Sequence, residues 1–245
     1  MKFGQIKPNL GIPINWGNPL AKGLVAYWLM NEGTGNTVQD LSGNGNIGTC
    51  GAAVTWAAGI SGPSLYFPSQ VNVTLPATIT TAKTIIARVK VTADDNCAVC
   101  GVEDQAYYTP IILYDSLSRF YIGNGSGGSQ QYWVYTAGSV EKWCTVAAVC
   151  DGTNAYAYID GQSLGAGKVL TRLAEFNVLG NGHTYDFNGT IDYILAYDRA
   201  LSASEIAKLY NNPFGIIQPT FSVWWYSGIG GEPPATAGQV IMISN

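Results

Sequence analysis

The stretch IDYILAYDRALSASEIAKLY, Ile191 to Tyr210, decides the fold, because it reads as a strand running straight into a short capped helix. Its first half alternates with the period of two of a pleated surface. Ile191, Tyr193 and Leu195 fall on one face, and Asp192, Ile194 and Ala196 on the other. Asp192 is the odd residue, a lone carboxylate in an apolar strand. Ser202 then offers an N-cap oxygen and Glu205 follows as its capping-box partner, with Ile206, Leu209 and Tyr210 as the buried stripe. Asn211-Asn212-Pro213 stops the helix.

Upstream of this motif, short strand candidates follow one another without a helical pattern. They are 24–29, 64–67, 71–75, 84–91, 111–114, 119–122, 132–136, 143–150, 155–159 and 177–179. Gly, Asn, Asp and Pro clusters separate them, which predicts a β-sandwich or barrel. Asp160-Gly161 is a tight hairpin-turn signal. Before Gly23, the prolines Pro8, Pro13 and Pro19 with Gly4, Gly11 and Gly17 predict an irregular arm. After Asn212 comes a second arm carrying Phe221, Trp224, Trp225 and Tyr226. Such an aromatic cluster must cover something, either this domain or a neighbouring subunit. The expected organisation is an arm over 1–22, a β domain over 23–212 and an aromatic, Gly/Pro-rich arm over 213–245.

Composition narrows the function. The 245 residues include 30 Gly, 15 Tyr and 7 Trp, only 11% are charged, and the net charge is −4. Scattered basic residues on an acidic chain argue against nucleic acid. No window reaches the length of a membrane span and the N-terminus lacks a signal-peptide core, so the expectation is a soluble chain, cytoplasmic as synthesised. Five cysteines are too few and too odd a number for a disulfide framework. Cys97 and Cys100 have C-x-x-C spacing, but with His183 as the only histidine they read as small strand hydrophobes rather than zinc or redox ligands.

Several ordered motifs carry a family likeness. Gly23 to Trp28, Asn31 to Thr49, Leu65 to Phe67, Ala155 to Gly161 and Phe187 to Tyr210 together resemble the laminin-G-like, concanavalin A-like domains. The resemblance implies an all-β fold, a jelly-roll sandwich of two antiparallel sheets with one short C-terminal helix and irregular terminal arms. It also implies a concave face that holds glycans in lectin relatives, and a structural calcium (Ca2+). Asp40 and Asp192 fall on the two motifs expected to meet where the domain closes, with Asn44 and the loop around Gly43 and Asn46 as further oxygen donors and Glu32 nearby. Equally, Asp40 caps an Asx turn and Asp192 accepts loop amides on the outer face.

For a glycan platform the candidates are Tyr107, Tyr108, Trp133 and Tyr135. Tyr132 and Val134 must face opposite to Trp133 and Tyr135, so only one of those two sets lies in the core. Retaining glycosidases of this kind place two carboxyls about 5 Å apart, as alternate residues of one strand can. Here Asp94-Asp95 and Glu103-Asp104 are adjacent pairs in turn-like segments, which predicts a non-catalytic protein. The arms also resemble those of bacteriophage and prophage structural proteins. That likeness implies a virion component, a capsid decoration or appendage protein that docks on other virion proteins through its arms, binds cell-surface glycans and forms a homo-oligomer. A free-standing lectin module, or a glycan hydrolase of the same fold, is the alternative.

Overall fold

The structure, a computed structural model, describes residues 6–68, 70–92, 96–102, 110–114, 119–124, 130–135, 142–182 and 185–217. Two large antiparallel sheets face one another. The first has nine strands, with the path Gln162–Ser163, Asn154–Ile159, Trp143–Cys150, Thr84–Val91, Gly189–Tyr197, Pro63–Phe67 and Thr55–Ala58. Leu24–Trp28 pairs with Gly189–Tyr197, and Lys168–Val169 pairs with Asn154–Ile159. The second sheet has eight strands: Gln130–Val134, Arg119–Gly123, Ile111–Tyr114, Asn96–Gly101, Phe176–Leu179, Val73–Ile79, Gly48–Cys50 and Thr37–Val38. This is the jelly-roll sandwich that the motifs implied.

The space between the sheets is filled by inward residues of both. Trp28 meets Phe176 edge to face at 6.2 Å between centroids, and Phe67 meets Phe187 at 5.9 Å. Such pairs favour the T-shaped arrangement because the ring edge is positive and the face negative. Trp28 also satisfies its indole N–H on the Asn46 carbonyl at 2.7 Å. Cys97 and Cys100 both lie in this core, and none of the five cysteines forms a disulfide. A bulge between Ala98 and Cys100 turns both side chains to the same side. Burial pushes the Cys100 thiol well above its ordinary value, so it is an inert hydrophobe rather than a thiolate.

Two expectations change. The alternation of the closing strand breaks at a bulge between Ile191 and Tyr193. Ile191 therefore joins Ile194 and Ala196 in the core between the sheets, while Tyr193, Leu195 and Tyr197 face the other way. The second change concerns the arms. Residues of the segment 6–22 and of 213–217 are part of the domain: Ile14, Ala21, Phe214, Ile216 and Ile217 pack with the helix residues Ile206 and Leu209 over Tyr27, Ile86, Tyr193 and Leu195. Ile14 bridges Ile217, Asn15 N–H donates to the Ile216 carbonyl at 2.8 Å, and Tyr27 Oη donates to the Pro213 carbonyl at 3.1 Å. The outer face of the nine-stranded sheet is thus covered, which is why a strand in it can be buried on both sides.

The helix spans Ala203–Asn211 and its capping box is complete. Ser202 Oγ accepts from Glu205 N–H at 3.3 Å, and Glu205 Oε2 accepts from Ser202 N–H at 2.9 Å. Arg199 Nη2 adds an ion pair to Glu205 Oε1 at 2.8 Å. The Arg199 guanidinium, helped by the Ser202 amide, holds the Glu205 carboxyl down to about 2 from an ordinary 4.5. A carboxyl depressed in the folded state contributes stability that is present above its unfolded pKa and lost as pH falls toward the folded one. Thermal melting from pH 5 to 2 is therefore expected to fall more steeply for the wild type than for Glu205→Gln, with the two curves converging near pH 2. Ser202→Ala is expected to cost about 1 kcal/mol at neutral pH. Parallel melting curves for Glu205→Gln and wild type would contradict the pairing.

Candidate functional site

Asp40 lies just after the short strand Thr37–Val38 and bridges Trp28, and its carboxylate is saturated by donors. Oδ1 accepts the amides of Tyr27 at 3.0 Å and Ser42 at 2.9 Å. Oδ2 accepts Ser42 Oγ at 2.8 Å, the Asn46 amide at 3.1 Å and Asn46 Nδ2 at 2.9 Å. Asn44 turns its side-chain N–H groups onto the Val25 carbonyl at 2.8 Å. A carboxylate ringed by N–H and O–H groups is an Asx-turn cap, and those protons point where a cation would have to sit. The Asp40, Asn44 and Asn46 set does not fit calcium.

Asp192 belongs to a different network. Its side chain is fully buried, at the bulge of the closing strand. Oδ1 accepts Ser64 Oγ at 2.6 Å and forms an ion pair with Lys7 Nζ at 3.0 Å. Asp192 therefore accepts an ammonium and a hydroxyl in the interior, not loop amides on the outer face. Lys7 Nζ also donates to the Asp192 carbonyl at 2.6 Å, to the Met30 carbonyl at 3.2 Å and to the Pro63 carbonyl. Burial lowers the Lys7 pKa, and Asp192 and Glu32 oppose that shift. Asp40 and Asp192 thus serve two separate networks, and the cation beside Asp192 is an amino group of the chain itself. Sequence reasoning missed Lys7. The signal that could have found it was the lone carboxylate in an apolar strand, which requires a counter-charge once buried.

The third cluster lies on the eight-stranded sheet, at its Gln130–Val134 edge. Phe120, Ile122, Trp133 and Tyr135 point into the core, and Trp133 is only 3% exposed. Trp133 and Tyr135 therefore cannot offer their rings as a glycan platform. Their inward packing is the reason the opposite set, Tyr132 and Val134, is exposed, at 40% and 67%. Tyr121 and Tyr132 are cross-strand partners with ring centroids 5.4 Å apart. The Arg119 guanidinium sits 4.6 Å from the centre of the Tyr132 ring and Lys168 Nζ 4.9 Å from it. Gln130, two residues from Tyr132 and on the same face, has a buried Nε2 with no hydrogen-bond partner. At the other end of this sheet Thr49, Thr74, Pro76 and Thr78 are exposed, while Ala98 and Val178 on the central strands are buried, so among the described residues this outer face is exposed at its two ends.

Tyr107, Tyr108 and His183, the acidic pairs Asp94-Asp95 and Glu103-Asp104, and the tail residues Phe221, Trp224, Trp225 and Tyr226 lie outside the described residues. Among the described residues no three His, Cys, Asp or Glu side chains gather as a metal site, and no helix is long and apolar enough to cross a membrane.

Comparison with known proteins agrees with this architecture. None of the curated proteins matches the chain. Among solved structures, domain 4 of AbnA, a GH43 extracellular arabinanase from Geobacillus stearothermophilus in complex with arabinotriose, superposes with a TM-score of 0.55 at 19% identity, over 76% of this chain and 98% of that one. The Trypanosoma rangeli sialidase in complex with sialic acid gives 0.56 at 17%, over 79% of this chain and 33% of the sialidase. The botulinum neurotoxin type G receptor binding domain gives 0.56 at 16%, over 78% of this chain and 51% of that one. The chain thus spans about a third of the sialidase and half of the neurotoxin domain, and at these identities the likeness is one of fold. A family model described as the concanavalin A-like lectin/glucanases superfamily matches residues 64–207, more than half of the 245 residues. With its two facing sheets and capped terminal helix, the chain belongs to that superfamily.

Proposed function

We infer that this chain is a non-catalytic glycan-binding module that takes its ligand on the outer face of the eight-stranded sheet, at the Tyr121–Tyr132 end. The observation that carries this reading is the asymmetry of the sandwich. One outer face is covered by helix and terminal segments, while the other exposes, at its Gln130–Val134 edge, paired tyrosines flanked by Arg119 and Lys168. A sugar ring offers apolar C–H faces to an exposed aromatic side chain such as Tyr132 and hydroxyls to the charged side chains beside it. Two cations at the same spot favour saccharides bearing carboxylate or sulfate groups. That arabinanase domain 4 and the sialidase were solved with an oligosaccharide and a sugar acid supports the class of ligand, not its identity.

The test is calorimetric titration of the full chain with an acidic oligosaccharide, oligogalacturonate, beside neutral oligosaccharides. Binding is expected to favour the acidic ligand and to weaken with salt, since exposed charges are screened. Tyr132→Ala is expected to weaken it about tenfold or more, and Arg119→Gln with Lys168→Gln to remove the acidic preference. Flat titrations with all ligands would sink the reading. Non-catalysis is supported by the sequence, which lacks alternating acids on a strand, and is tested by the absence of turnover on the same oligosaccharides. The wider reading is a decoration or appendage protein on a phage particle, attached through the aromatic residues after 217. It rests on the composition of that tail and on the anchoring of Ile217 to the covered side of the sandwich.

A further inference from the structure

The surroundings of Lys7 Nζ contain more acceptors than an ammonium can use. Three N–H bonds face four oxygens: the carbonyls of Met30, Pro63 and Asp192, and Asp192 Oδ1. Three further side-chain oxygens from the same chain segments, Asp192 Oδ2, Glu32 Oε2 and Asn31 Oδ1, are buried without a hydrogen-bond partner. Buried oxygens left unpartnered are costly unless a cation compensates them, and here two belong to carboxyl groups.

The backbone is arranged to form this cage. Met30 is one of three described non-glycine residues with positive φ, at 53°, next to Asn31 and Glu32. Gly59 closes the opposite wall, where a Cβ would come within 1.8 Å of Ser64 Oγ and 2.5 Å of Asp192 Oδ1. Lys7 is fixed from its own side as well. Its amide donates to the Ser61 carbonyl at 2.9 Å, and the next carbonyl, of Pro8, accepts from Asn31 Nδ2 at 2.8 Å. A wall of main-chain carbonyls plus carboxylates is what hard cations such as calcium bind, with six to eight oxygens.

We propose that this cage is a hard-cation site whose cation is supplied by the protein itself: the Lys7 ammonium fills it, does the structural work of a divalent ion, and excludes one. The N-terminal segment is therefore a tethered counter-ion, and its effective concentration at the cage is set by the chain rather than by the medium. The wild type should be indifferent to divalent cations, and removal of the lysine should unmask a site for one.

The experiment is thermal melting of the full chain and of Lys7→Ala in EDTA and in millimolar CaCl2. The wild-type midpoint is expected to be the same in both. Lys7→Ala is expected to melt lower in EDTA and to regain stability with calcium, the gain rising with the logarithm of concentration as a ligand specific to the folded state requires. The double variant Lys7→Ala/Asp192→Asn should lose most of that calcium response. Should Lys7→Ala not fold in EDTA, refolding from urea is compared with and without calcium, and recovery only with calcium supports the proposal. Equal calcium responses in wild type and Lys7→Ala, an undiminished response in the double variant, or no recovery in either condition would each overturn it.

Discussion

Trimming the chain to residues 23–212, the span that its motifs mark as the domain, is expected to give a protein that has lost most of its stability. The cut removes Lys7, the counter-charge of a carboxylate that is fully buried in the intact chain. Breaking a buried ion pair by deleting one partner costs about 3–5 kcal/mol. The same cut strips Ile14 and Ala21 from one side of the terminal cluster and Ile216 and Ile217 from the other, exposing Tyr27, Tyr193 and Leu195 beneath them. Each fully buried isoleucine contributes about 1.5–3 kcal/mol. Domains are stable by only about 5–15 kcal/mol in total, so the sum is comparable with the whole. Urea denaturation followed by tryptophan fluorescence should show a broad or absent transition for 23–212 and a cooperative one for the full chain. A transition with unchanged midpoint would show that the terminal segments are ornamental.

Gly189→Ala is the second large effect, and it arises from backbone rather than charge. Gly189 opens the closing strand and pairs with Phe67 on one side and Val91 on the other. A Cβ there would stand 2.2 Å from the Lys90 carbonyl oxygen and 3.0 Å from Val91 Cα, and φ is +154°. The obstructing atoms are main chain in the middle of the sheet, so no rotamer change relieves the clash. Overpacking and backbone strain each cost about 1–3 kcal/mol, and together they predict a loss of about 3 kcal/mol or more. Gly152→Ala is the matched control: its φ is +99° but nothing lies within 4 Å of the added methyl. It should cost only the backbone strain. Equal losses at the two positions would mean that close approach of the strands is not what selects glycine at 189.

What could be read from the sequence was local. The capped helix, the Asp160-Gly161 turn and most of the longer strands are written in consecutive residues, and Asp160 and Gly161 do take positive φ, 49° and 76°. The short strands Thr37–Val38, Gly48–Cys50 and Thr55–Ala58 have too few residues to show a period, and Asn96–Gly101 is a continuous small apolar run that does not alternate. The bulge at Asp192 is imposed by pairing with Thr84–Val91, so alternation alone assigned Ile191 to the wrong face. Lys7 lay beyond reach for another reason: it stands 185 residues from its partner in a proline-rich segment with no periodicity of its own. The tyrosine cluster was half legible. Alternation separates Tyr132 from Trp133 and Tyr135, but only packing against the second sheet says which set is inside.

The bridge between Ile14 and Ile217 holds the last described residue on the covered side of the sandwich. A molecule held on that side by a support would turn the Tyr121–Tyr132 face outward, away from the support. Copies fixed side by side on one support would present a lawn of identical faces. A face that binds a sugar weakly, as proposed above, would then act as an adhesive surface, because each bound copy holds its neighbours near the next ligand and avidity grows without any new contact.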